Sequence, residues 1–326
     1  METVHTDTLE FRAMACAARV VVVGGTPAHL AFARTAVEHL EQCWSRFLPN
    51  SDIARINAAG GCPISVDPAT IRLITAMVQG WARTEGAFDP TLLAPLLGLG
   101  YAVSWDNPAH VTSLAAGTSL RSRPTDIEID GDRCVVRAPS GIGLDAGGIG
   151  KGLAADLVVE QLLAAGAEGA LVSIGGDLRV GGRAPQAGGW TIDVVNPVDD
   201  ALAEARLTLT TGGVATSGTV RRAWVRPDGS AAHHLLDPAT AQPVSVHAAD
   251  ALIEATVVAG TGAWAEVFTK AVLVRGAEAG LPWLDSLGLA CRARFADHTE
   301  LTNDAWDAFA AEGLAQPVYQ AHEVTA

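Results

Sequence analysis

Lysine is nearly missing from this chain: Lys151 and Lys270 are the only two, against twenty arginines in 326 residues. Positive charge is scarce overall, and the net charge of −14 argues against a nucleic acid or an anionic membrane surface as partner, because nothing forms a basic patch. An anionic small ligand would have to be held by local backbone N–H groups, a few cations or a metal ion. Cysteine is sparse too. Cys16, Cys43, Cys62, Cys134 and Cys291 are odd in number, widely spaced and without a Cys-x-x-Cys pair, which fits reduced cytosolic thiols better than a disulfide framework. No apolar run is long enough to cross a bilayer. The opening METVHTDTLEFRAM has no basic stretch followed by an apolar one, so no secretory signal is expected. The expectation is a cytoplasmic chain with no membrane insertion.

What is present is a globular composition, with 49% hydrophobic and 18% charged residues, enough for a real core. Patterning predicts strands over 8–14 and 18–24, then a helix from 26 or 27 to 48. A second helix is predicted over 67–86, with Asp67 as N-cap, Pro68 in the first turn and Gly86 closing it. Residues 98–123 read as irregular, and 127–129 with 133–137 as a hairpin. A helix over 149–165 and a buried strand over 169–174 follow. The stretch to 258 is β-rich, with turns at 175–176, 181–182, 212–213 and 227–229. Helices over 263–275 and 277–287, a strand over 289–295 and a helical, then loose, tail beyond 303 complete the pattern. No repeat or linker divides the chain, so residues 1–326 are expected to form one interwoven α+β unit.

Several short motifs could carry chemistry. Asp145-Ala146-Gly147-Gly148-Ile149-Gly150-Lys151-Gly152 precedes a helix, and its glycines allow N–H groups to approach an anion closely. It is neither a Walker A loop nor a G-x-G-x-x-G turn, and by itself reads equally as a plain strand–helix turn. Thr216-Ser217-Gly218 suits phosphate contact or an ordinary turn. On a strand His233 and His234 face opposite sides, so one at most points into a given site. Asp237, before Pro238, could orient a group or take a proton. Glu266 and Lys270 share a helical face at i,i+4, where a surface ion pair is the default reading.

In their order and spacing these phrases resemble the ApbE family of flavin transferases. The resemblance runs from about residue 9 to 295, leaving 303–326 as a tail. It rests on Met14 in FRAMACAARV, Ser45-Arg46-Phe47 with Ser51 and Asn57, GAFDPT (86–91), LDAGGIGKGLAAD (144–156), IGGD (174–177), ATSG (215–218), HLLDP (234–238) and the AEVFTKA helix. It implies an ApbE-like, T-fold-related α+β fold of mixed, largely antiparallel sheets with packed helices. It also implies an enzyme that moves FMN from FAD onto a Thr or Ser of an acceptor flavoprotein, releasing AMP. FAD would be contacted by Met14, Phe88, Asp89, Asp145, Gly148, Lys151, Asp156, Gly175, Gly176, Asp177, Thr216, Ser217 and Gly218. His234 would assist proton transfer, with Asp237 as alternative base or orienter. Hydrolysis of FAD to FMN and AMP, or FAD binding without catalysis, are the alternatives.

One departure concerns the cation. The resemblance implies a magnesium ion held by the Gly150 carbonyl and by an Asp and a Thr four residues apart on the later helix. Here those two places hold Glu266 and Lys270. Glu can still ligate magnesium, but an ammonium cannot. Either Lys270, held by Glu266, takes the ion's part, or Thr269 turns inward as ligand while Lys270 points out. The expectation is the first.

Overall fold

The computed structural model describes residues 5–114, 123–196, 202–247 and 251–310. The chain opens with β1 (Thr6–Ala13), β2 (Cys16–Val23), α1 (Pro27–Trp44), α2 (Asp52–Ala58), β3 (Ile64–Ser65), α3 (Pro68–Arg83) and α4 (Leu93–Gly98). Then come β4 (Glu128–Asp130), β5 (Val135–Arg137), α5 (Gly150–Ala164), β6 (Gly169–Ile174), β7 (Asp177–Gly182), β8 (Trp190–Val195), β9 (Ala203–Leu209) and β10 (Gly212–Gly218). The last part holds β11 (Ala223–Val225), β12 (Ala231–His233), β13 (Leu236–Asp237), β14 (Gln242–Pro243), β15 (Leu252–Ala259), α6 (Gly262–Ser286), β16 (Ala290–Phe295) and β17 (Glu300–Thr302).

Eight strands form the central sheet in the order β1-β2-β6-β7-β10-β15-β16-β17, and every neighbouring pair is antiparallel. The fold is the expected α+β type. Alternation along β2 sends Val20 and Val22 to a helical layer containing Val37 and Leu40 of α1 and Val158 of α5. Val21 and Val23 face the opposite way, onto Trp190, Ile192 and Leu207 of the β8–β9 ribbon. The sheet is therefore covered on both faces, by helices on one and by a two-stranded ribbon on the other.

Local chemistry explains the elements that position the site. Asp67 caps α3 by accepting the Ala69 N–H at 2.7 Å, with Pro68 in the first turn; the helix ends at Arg83, three residues short of the Gly86 stop. Helix α5 is apolar nearly all round and is buried from Leu153 through Val159, between sheet and neighbouring helices. The two helices expected over 263–275 and 277–287 are the two halves of α6, parted at Gly276, whose φ of 74° and ψ of 175° are not helical. Short α2 and α4 were not foreseen as helices. Residues 181–182 and 212–213 lie within strands β7 and β10 rather than in turns. Beyond Asn303 only a 3-10 turn, Asp304–Ala308, is formed among the described residues; the rest of the tail, and the 115–122 part of the irregular stretch, lie outside them.

Candidate active site

The glycine-rich turn is fixed from below. Asn57 of α2 accepts the Leu144 N–H (2.7 Å) and donates to the Leu144 carbonyl (2.9 Å), both in a buried setting. Asp145 then caps a single 3-10 turn, Ala146–Gly148, accepting the Gly147 N–H at 2.9 Å. α5 starts at Gly150, so Lys151 leaves from the first turn of a buried helix. Gly148 lies under the Phe88 ring, where a β-carbon would come within 2.8 Å of the ring edge.

Helix α6 reaches the same point because three glycines let backbones touch. A β-carbon on Gly152 would stand 2.2 Å from the Gly262 carbonyl oxygen, and one on Gly213 would stand 2.2 Å from the Gly262 nitrogen. This contact brings Glu266 under the start of α5. Glu266 Oε2 accepts the Gly152 N–H at 2.8 Å. Its Oε1 is bonded by Lys151 Nζ and, at 3.3 Å, by Lys270 Nζ. Lys151 also pairs with Asp177 Oδ2 at 2.8 Å. Asp177 follows the β6–β7 turn, in which Gly175 and Gly176 take φ of 61° and 93°, the left-handed region that glycine enters without strain.

The Glu266 side chain is 0% exposed, whereas those of Lys151 and Lys270 are 15% and 12% exposed. The carboxylate is thus the floor and the ammonium groups are the surface that a ligand meets. Burial disfavours the Lys151 ammonium, but Asp177 and Glu266 outweigh it and raise its pKa. Burial, helped by the Lys151 charge, lowers the pKa of Lys270 despite Glu266 and Asp177. Burial also disfavours the Glu266 carboxylate, yet Lys151 and Lys270 hold its pKa below the usual range.

These groups border three adjoining pockets of about 140, 300 and 870 Å³ that share Gly147 and Arg222 in their walls; taken together as the lobes of one cleft, they offer room for a ligand of dinucleotide size. Arg222 borders all three lobes, Lys151 two and Lys270 two. Arg46 is clamped between the Phe47 and Tyr101 rings, 4.0 and 4.7 Å from their centroids, and lies 3.4 Å from Asp145. Arg46 belongs to a stretch that carries the resemblance but had no site role assigned to it, and Arg222 does not stand out in a sequence with twenty arginines.

Most of the expected positions converge here. Phe88, Asp89, Asp145, Gly148 and His234 line the smallest lobe, and Met14, Gly150 and Lys151 line the second. Gly175, Gly176, Asp177, Thr216, Ser217 and Gly218 line the largest. Thr216 and Ser217 turn their hydroxyls apart, to Thr256 (2.9 Å) and Thr269 (2.7 Å). His233 is turned away, its Nε2 3.0 Å from the Val244 carbonyl. His234 Nδ1 lies 3.4 Å from the Arg222 carbonyl, an acceptor, so Nδ1 carries the proton and Nε2 keeps the lone pair. Burial first, then the Arg222 and Lys270 charges, lower the His234 pKa well below its ordinary value.

Two expected residues have other work. Asp156 accepts the Gly262 N–H (2.7 Å) and the Ala263 N–H (2.9 Å). Both carboxylate oxygens cap α6 from inside the protein, and the side chain borders none of the three lobes. Asp237 accepts the Ala239 N–H (2.8 Å) and the Thr240 hydroxyl (3.1 Å), building its own turn, and it too borders none of them.

The donor set expected for magnesium does not fit a dication. Both Glu266 oxygens are taken, and Thr269 donates its hydroxyl to the Glu266 carbonyl at 2.7 Å while meeting Ser217. A doubly charged ion about 4 Å from one ammonium would be repelled by roughly 8 kcal/mol at an effective dielectric constant of about 20. Among the described residues, the group that could gather three metal-binding side chains is His39, Cys43 and Asp67, where helices α1 and α3 meet, and none of the three borders the cleft.

A sequence model of the ApbE family matches residues 13–293. The FAD:protein FMN transferase of Klebsiella pneumoniae (strain 342) is 30% identical over 238 residues, 71% of this chain and 70% of that protein. The Pseudomonas stutzeri flavinyl transferase ApbE, in its apo form, superposes with a TM-score of 0.76 at 26% identity, covering 96% of this chain and 99% of that one. The Thermotoga maritima ApbE protein superposes with a TM-score of 0.78 at 24% identity over 94% of this chain and 100% of its own, a likeness of fold. With the match spanning most of the chain, this protein belongs to the ApbE family.

Proposed function

We propose that the protein is an FAD:protein FMN transferase, joining FMN through a phosphoester to a Thr or Ser of an acceptor flavoprotein. The observation that carries this reading is the meeting of Lys151, Lys270 and Arg222 beside His234 in one cleft of dinucleotide size. In a chain of net charge −14, cations so placed favour a phosphate-bearing ligand. The aromatic wall of Phe47, Tyr101 and Phe88 suits flat rings.

In the proposed reaction the acceptor hydroxyl attacks the FMN-side phosphorus of FAD. The bond from that phosphorus to the bridging oxygen breaks, and AMP leaves with that oxygen. Lys151, Lys270 and Arg222 stabilise the charge that builds on the phosphoryl oxygens. His234, neutral with Nε2 free to accept, takes the hydroxyl proton. Five unpaired cysteines favour a reducing compartment, and hence a cytoplasmic acceptor.

Incubation with FAD and an acceptor flavoprotein tests the reading. The expected result is AMP release with flavin bound covalently to the acceptor. AMP release without labelled acceptor would instead make the protein a hydrolase, and FAD binding without AMP would make it a binding protein.

A further inference from the structure

Building on that reading, we infer that Lys270 is the fixed cation facing the pyrophosphate of FAD, so that binding and transfer need no divalent metal ion. The three donors of its ammonium are only partly used, since among the described residues its one hydrogen-bond partner is Glu266 Oε1, at 3.3 Å. The side chain lines two lobes of the cleft, together with His234 and Arg222. Glu266 and Asp177 balance Lys151 and Lys270 charge for charge, so this cluster itself has no surplus negative charge to draw in a dication.

The side-chain type supports the same conclusion. An ammonium is a compact point charge with freely turning donors, whereas a guanidinium is a wide planar fork. The chain uses arginine twenty times and lysine twice, and both lysines meet on this one carboxylate. Thr269, the neighbouring candidate ligand, is 0% exposed and bonded to Ser217 and the Glu266 carbonyl. Its hydroxyl is held by those two contacts behind Ser217, which lines the cleft in its place.

The test uses the full-length protein, FAD and an acceptor flavoprotein, with FAD binding followed by flavin fluorescence and turnover by AMP release. Excess EDTA is expected to change both by less than about twofold, and added magnesium to do no more. Lys270→Ala should lower AMP release by about 100-fold, with partial recovery on adding ethylammonium and none with magnesium. A thermal melt of the same variant checks that it folds, and Lys270→Arg, which keeps the charge on a wider head, should recover only part of the loss if the variant with alanine proves unstable. Loss of binding or turnover in EDTA, restored by magnesium, overturns the inference and leaves the transferase reading intact. EDTA-insensitive FAD binding without AMP release overturns that reading while the fixed cation stands. No FAD binding under any condition overturns both.

Discussion

Gly152 lies against Gly262 so closely that a β-carbon on the first would stand 2.2 Å from the carbonyl oxygen of the second. That oxygen belongs to backbone and cannot swing aside. Gly152→Ala therefore has to push α5 and α6 apart, loosening the 2.8 Å bond from the Gly152 N–H to Glu266. A loss of about 2–3 kcal/mol is expected, seen as a lower midpoint in denaturant unfolding, together with weaker FAD binding. An unchanged midpoint would show that the helices part freely.

Asp156 provides a contrasting case. Its two oxygens cap the first turn of α6, so Asp156→Ala should cost about 1–3 kcal/mol. Any FAD bound by the folded fraction should keep its affinity within about threefold. A variant of normal stability with a large loss of affinity would return Asp156 to the ligand.

His234 should give the reaction an acid limb placed unusually low. Burial and the nearby Arg222 and Lys270 charges lower its pKa from 6.5, so the imidazole remains neutral, as a base must, through neutral pH. The rate of transfer is expected to be level from about pH 8 to about pH 6.5 and to fall only below that. The stability linkage has the same sign: below about pH 6.5 the unfolded chain binds a proton that the folded chain refuses, so stability falls with pH in that window. His234→Ala should lower turnover by about 100-fold or more, whereas Asp237→Asn should leave it within about threefold. Equal losses in the two variants would assign the proton to the wrong residue.

Arg222 borders every lobe of the cleft, and one of its terminal nitrogens lies 3.3 Å from Cys16 Sγ. Arg222→Met should weaken FAD binding by about tenfold, more than it affects thermal stability. Titration of flavin fluorescence reads the effect directly.

Which of these features were visible in the sequence follows from where each signal resides. Lys151 and Lys270 stand out by rarity, and the i,i+4 spacing of Glu266 and Lys270 foretells their contact, although the pair is largely buried and not the surface pair expected. Nothing local reveals that Lys151 reaches the same oxygen, because that depends on the glycine contact between two helices far apart in the chain. Arg222 is hidden for the opposite reason, being a common residue made special only by tertiary placement, and Arg46 is visible as part of a phrase but not as a wall of the cleft. Asp156 and Asp237 bond backbone N–H groups, which the sequence does not foretell, because a carboxylate in a motif looks the same whether it faces a ligand or the backbone. For Asp237 a hint existed: Asp ahead of Pro238 in a turn-rich phrase fits a side chain that bonds its own backbone. Helices α2 and α4 are too short to show a helical period, although Asn57 on α2 anchors the glycine-rich turn.

The break at Gly276 divides α6 into two mechanical segments. The first carries Glu266, Thr269 and Lys270; the second carries Leu281 and Leu284, buried with Cys291 and Ala293 of β16. The two segments nevertheless pack on each other: the Phe268 and Trp283 rings lie 5.5 Å apart between centroids, and Gly280 sits against Val272. The glycine therefore acts as an elbow: it folds the second segment back as a brace for the helical turn that carries the ammonium, so replacing Trp283 or Gly280 bears on the cleft from behind.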